Sequence, residues 1–141
     1  MGWGAGRRDG AQLNAPLAWL AVGVGAACGA WLRWGLGLWL GTASLRLNLG
    51  TLAANLIGGY LVGMALAFFG THPQLSPEWR LFAVTGFLGG LTTFSTFSGE
   101  SMLLLQRGDY GWALVHSAAH LLGALGCCVA GFATIKALGG H

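Results

Sequence analysis

The chain has 141 residues, 55% of them hydrophobic and only 8% charged, with a net charge of +3 and a mean hydropathy of +0.64. A soluble domain carries roughly 25% charged residues, so this composition excludes an ordinary water-soluble globule. The basic residues are scattered singly, without the stripe by which a nucleic-acid-binding surface is recognised, and no phosphate-binding loop points to a nucleotide.

Charge gathers between apolar stretches: Arg7, Arg8 and Asp9, then Arg46, Glu78 and Arg80, Arg107 and Asp109, and Lys136. The intervals at 16–41, 48–70, 79–105 and 110–137 each exceed the roughly 20 apolar residues that cross a bilayer. Four such spans use nearly the whole chain, which reads as one membrane domain over 1–141 with no room for a soluble module. Trp19 and Trp39 bracket the first span, and Trp79 and Trp112 open the third and fourth, at the depth where interfacial aromatics sit.

The first span follows Arg7-Arg8, as a twin-arginine signal would, and contains Ala26-Ala27-Cys28 behind Gly25. Its apolar run is too long for a cleaved leader and reads as a retained span. Arg33 lies near its end. It either snorkels to the interface or lines an aqueous vestibule that draws anions inward.

The second span carries Thr51 and Asn55, four residues apart and so on one helix face. Asn55 is either interhelical glue or a donor facing an ion path. The third span holds the most informative stretch, Gly86-Phe-Leu-Gly-Gly-Leu-Thr-Thr-Phe-Ser-Thr-Phe-Ser98. Paired glycines and a run of hydroxyls weaken the helix ladder. A helix broken near Gly89–Ser98 is tolerated at membrane depth only where protein or a water-filled cavity receives its polar groups. Phe94 and Phe97, three apart, share a face among the hydroxyls of Thr92, Thr93, Ser95, Thr96 and Ser98. They are core packing, or they offer positive ring edges to a small anion. Carbonyls freed near Gly89 and Thr92 have the opposite polarity and suit a hard cation such as sodium. Glu100 follows the motif. It pairs with Arg33, caps a half-helix, or carries a proton; a structural role fits an anion path best.

In the fourth span His116 and His120 are four apart and Cys127 continues their face. That spacing can hold zinc, but with no carboxylate nearby in sequence the pair reads better as polar pore or interface residues. Cys28, Cys127 and Cys128 imply no disulfide framework. Small-residue pairs, Gly25/Gly29, Gly59/Gly63, Gly86/Gly90 and Ala119/Gly123, place a close-packing face in every span.

Four spans put both termini and the 70–79 loop on one side. Arg7, Arg8, Arg80 and Lys136 on that side face Arg46 and Arg107 on the other, four against two. So weak a bias permits insertion both ways round, and oppositely inserted copies can pair about a twofold axis in the membrane plane.

These residues carry a resemblance. The stretch from Gly86 to Glu100 resembles the signature of the Fluc (CrcB) fluoride channel family. Gly25-Ala-Ala-Cys-Gly-Ala-Trp-Leu-Arg33-Trp and Gly50-Thr-Leu-Ala-Ala-Asn55-Leu-Ile-Gly-Gly resemble its first- and second-helix patterns. The likeness runs from about 20 to 135. It implies an all-α integral membrane protein forming an antiparallel, dual-topology homodimer within membrane lipid. It implies fluoride pores lined by Asn55, Phe94 and Phe97, with Thr51, Ser95 and Thr96 nearby, and a central structural Na+ held by backbone carbonyls of Gly89 and Thr92. The implied activity is passive export of cytoplasmic fluoride across a prokaryotic plasma (inner) membrane. The chain departs from the pattern in its fourth helix, where His116 and His120 stand at places that many members fill with Tyr and Ser. An enzyme is not expected, since no nucleophile–base set is visible. The alternatives are a small four-helix proton-coupled multidrug exporter, which relies on a first-span carboxylate that this chain lacks, and a structural membrane subunit, which leaves the Ser/Thr/Phe cluster unexplained.

Overall fold

In a computed structural model, the protein is described over residues 13–41 and 47–139. The expectations placed on Arg7, Arg8, Asp9 and Arg46 lie outside those residues. Among them there is no strand, and four helical stretches are long and apolar enough to cross a membrane.

Helix α1 (Ala15–Leu40) starts at Asn14, whose side chain accepts from the Leu17 amide, with Pro16 in the first turn. It ends at Gly41, whose φ of 58° falls in the left-handed region that glycine enters without a Cβ clash. Helix α2 (Leu49–Thr71) is capped by Asn48, which accepts from the amides of Gly50 and Thr51. The third span, Pro77–Gln106, is composite: α3 (Pro77–Arg80), a π-helical segment (Leu81–Leu88), α4 (Gly89–Leu91) and α5 (Phe94–Gln106). Helix α6 (Tyr110–Gly139) completes the set. The observed ends lie within two residues of the expected ones. The π-helical winding, which brings the Gly89 amide onto the Val84 carbonyl, is not foreseen by the apolar pattern.

Polar groups and glycines set the packing. The Asn14 amide donates to Glu78 Oε1 at 2.8 Å, so α1 and the third span begin at the same side. Helix α1 lies against the π-helical segment and α4, while α2 lies against α6. At the first contact, a Cβ on Gly25, Gly29 or Gly90 would run into the facing backbone of Phe82, Phe87 or Ala26. At the second, Gly59 and Gly63 meet the backbone of Ala124 and Cys128. Such backbone approach substitutes for the hydrophobic drive that lipid does not supply. The fourth-span pair is corrected in part. A Cβ on Gly123 would meet only a Leu56 side chain, whereas Gly131 lies directly on the Tyr60 carbonyl. The tight approach of α6 to α2 thus centres further along than Ala119/Gly123.

The buried core is small, built on Ala54, Leu88 and Leu91. Trp19, Trp39, Trp79, Trp112 and many leucines are exposed, the distribution of a chain whose surroundings are apolar.

Candidate functional site

The third span breaks where the motif places it. Thr92 (φ −82°, ψ 154°) and Thr93 (φ −149°, ψ 115°) are extended between α4 and α5. Asn55, buried on α2, fills the gap as a helical turn would. Its Oδ1 accepts from the Thr93 amide at 2.8 Å, and its Nδ2 donates to the Thr93 carbonyl at 3.2 Å. The same Nδ2 stands 2.9 Å from His120 Nδ1. Thr93 fixes the orientation of the amide, so Nδ2 can only donate and His120 Nδ1 must accept. The His120 proton then sits on Nε2, which is buried with no hydrogen-bond partner.

The carbonyls of Gly89 and Thr92 are among those that lose their helical donors at the break. The Thr93 amide, which would bond back to Gly89, goes to Asn55 instead. The Thr96 amide, which would bond back to Thr92, goes to the Thr93 hydroxyl that caps α5. Gly89 is exposed on the single chain. A carbonyl set released in this way fits a hard monovalent cation, which takes neutral oxygen ligands.

Phe94 and Phe97 open α5 with ring centroids 5.4 Å apart. They differ in setting. Phe97 is 8% exposed and packs against the rings of both His116 and His120, at 5.3 and 5.0 Å, whereas Phe94 is 72% exposed. Both line a cavity of about 300 Å³ together with Asn55, Thr92, Thr93 and His120. Gly59, Val62, Leu121, Ala124 and Cys128 complete its lining. Ser95 and Thr96 sit just behind it, each within hydrogen-bond reach of the Thr93 hydroxyl. Of the fourth-span cysteines, Cys128 rather than Cys127 reaches the cavity.

A second polar group lies one turn along α5. Thr51 Oγ1 donates to Glu100 Oε1 at 2.9 Å, and His116 Nε2 meets Glu100 Oε2 at 3.0 Å. Ser101 Oγ contacts His116 Nδ1 at 3.0 Å. The option of a Glu100–Arg33 pair is therefore corrected: both carboxylate oxygens are taken, and Arg33 Nε donates to the Gly90 carbonyl at 3.1 Å. Sequence reading also missed that a carboxylate stands beside the histidines. The signal was the turn at Gly108, whose φ is 75°. It folds α5 back along α6, so residues equally spaced about it, such as 100 and 116, come face to face.

The model of the CrcB-like protein (camphor resistance, CrcB) family matches residues 20–132. A fluoride-specific ion channel FluC of Cupriavidus pinatubonensis is 59% identical over 123 residues, covering 87% of this chain and 98% of its own. One from Cupriavidus necator is 63% identical over 110 residues, covering 78% and 87%. One from Ralstonia nicotianae is 56% identical over 123 residues, covering 87% and 98%.

Proposed function

Because this chain belongs to the CrcB-like protein family, we propose that it is a fluoride-specific channel, the activity that its relatives' names carry. It is a multi-pass membrane protein and not an enzyme. The observation that carries the reading is the Asn55–Thr93 clamp at the helix break, which opens onto a cavity walled by Phe94 and Phe97. Fluoride is small and strongly hydrated. It gives up water only where other donors replace it, and a pore must not hold it too tightly. Amide N–H, hydroxyls and the positive edges of phenyl rings are donors of that moderate strength, and among the described residues the cavity wall bears no Lys or Arg. The path runs past Asn55, Phe94 and Phe97, with Thr51, Ser95 and Thr96 as adjoining polar groups. Fluoride enters cells as neutral HF, is trapped inside as the anion, and leaves through the channel down the electrical gradient across a prokaryotic inner membrane.

The functional unit in this reading is an antiparallel homodimer of oppositely inserted copies. Support comes from the weak charge bias, from the exposure of Phe94, and from the exposed Gly89, where a Cβ would find only the Val84 carbonyl at 3.8 Å. Carbonyls of Gly89 and Thr92 from both copies would then hold a structural Na+ on the axis, where it supplies positive charge between facing dipoles.

The exporter alternative lacks its carboxylate, since α1 contains no Asp or Glu. The experiment is fluoride efflux from liposomes holding only the purified chain, with valinomycin to carry compensating K+. Efflux that waits for valinomycin is the expected result. Efflux that needs a proton gradient, or none at all, contradicts the channel.

A further inference from the structure

We propose that Glu100, His116 and His120 form a binding site for a divalent transition-metal ion of the zinc type, and that an ion held there stops anion passage. The second half rests on the channel reading above; the first does not.

The three residues offer a carboxylate oxygen and two imidazole nitrogens, and these ligand atoms lie within 4.8 Å of one another. Both rings are deeply buried, His116 at 1% and His120 at 4% exposure, so they do not sample many other arrangements. Their i, i+4 spacing on α6 puts them on one face, and the Gly108 turn brings the carboxylate across from α5. Zinc bonds to nitrogen and carboxylate oxygen run about 2.0–2.2 Å, so closing around an ion asks each side chain to move on the order of an ångström. A set of two imidazoles and one carboxylate is of the borderline type that favours zinc over calcium or magnesium. Outer contacts are already in place. Thr51 donates to the carboxylate oxygen that does not face His116, and Ser101 Oγ can accept from His116 Nδ1 once Nε2 turns to the ion.

His120 supplies the observation that an internal hydrogen-bond network does not explain: a buried Nε2 with no partner. Metal ligation through that nitrogen displaces its proton to Nδ1, which then faces the Asn55 Nδ2 as donor against donor. Ligation through Nδ1 breaks the same hydrogen bond directly. Either way the ion and Asn55 compete for His120, and Asn55 is the residue that clamps the helix break. Two neutral rings and one carboxylate also leave the ion with a net positive charge and an open fourth position. Fluoride entering that position would be held too firmly to leave. Both effects act in the same direction, toward block.

The test uses the full purified chain, stripped with EDTA and titrated with zinc sulfate by calorimetry, with cobalt absorption as a check on the ligand set. One ion per chain is expected. Affinity should fall at least about tenfold in each of Glu100→Gln, His116→Gln and His120→Ser, and stay unchanged in His72→Gln, which controls for histidine at the end of α2. If a ligand variant fails to fold, Ser101→Ala keeps all three ligands and is expected to weaken zinc by about tenfold through loss of the outer contact. Fluoride efflux from liposomes should fall at least about tenfold over the same zinc range, with His116→Gln escaping. No binding at millimolar zinc, or equal affinity in the ligand variants, overturns the site. Binding that leaves efflux unchanged overturns the block. Absence of efflux from the metal-free protein counts against the channel reading, while the calorimetry still judges the site.

Discussion

Asn55 joins the helix break to the cavity by holding both backbone groups of Thr93 and the ring of His120. Replacing it with Asp keeps one acceptor for the Thr93 amide but removes the Nδ2 donor from the Thr93 carbonyl and His120. A lost buried hydrogen bond costs about 1–3 kcal/mol, so Asn55→Asp is expected to lower fluoride efflux by about tenfold or more, with Asn55→Ser retaining more activity. Equal efflux from the Asp variant would remove Asn55 from the path. Phe97→Ile keeps bulk against the two histidines and deletes the ring edge, and Phe94→Ile does the same at the exposed position. Both are expected to lower efflux by about tenfold or more without loss of assembly, checked by size-exclusion chromatography beside the flux assay. At this scale, local spacing could be read directly: Thr51 and Asn55, four apart, are both buried on α2, and the rings of Phe94 and Phe97, three apart, stand 5.4 Å from one another. Contacts made across a turn could not. Glu100 and His116 are far apart in sequence, and only the folding back of α5 onto α6 at Gly108 brings them to 3.0 Å.

The elements owe their ends to residues that are easy to recognise. Asn14 and Asn48 cap α1 and α2, and Gly41 and Gly108 take positive φ. The break at Thr92–Thr93 was visible because two glycines and a run of hydroxyls cannot hold a helix ladder without help. The π-helical winding before it was not visible, since Leu81–Leu88 is plainly apolar and its pitch is settled by contact with α1. Gly131 went unmarked for a related reason: a lone glycine says nothing until the facing Tyr60 carbonyl is known. Gly89 offers a test at this scale. Within one chain a Cβ there meets only the Val84 carbonyl at 3.8 Å, so Gly89→Leu is expected to keep helix content by circular dichroism. If the residue faces a second copy and a shared Na+, the same variant loses the dimer and its efflux falls by about tenfold or more. A Gly89→Leu protein that stays dimeric and active contradicts that placement.

The whole molecule exposes apolar side chains almost everywhere and has few charges to orient it. Reporter fusions at the C-terminus are expected to register both orientations. Several lysines added to one loop should bias insertion and cut activity until an oppositely biased copy is co-expressed. A single orientation in the unmodified chain would contradict the antiparallel homodimer. Four spans could be read from composition alone, because membrane thickness dictates their length. The pairing of copies is not settled by composition, since four basic residues against two permit insertion either way round. The central claim, a pore for fluoride and not for other anions, meets its most direct test in the reversal potential of the purified chain in a planar bilayer. With a tenfold fluoride gradient at equal chloride, a fluoride-selective pore gives a potential near the Nernst value of about 59 mV. A reversal near zero under that gradient, or one that follows chloride or protons, would contradict it.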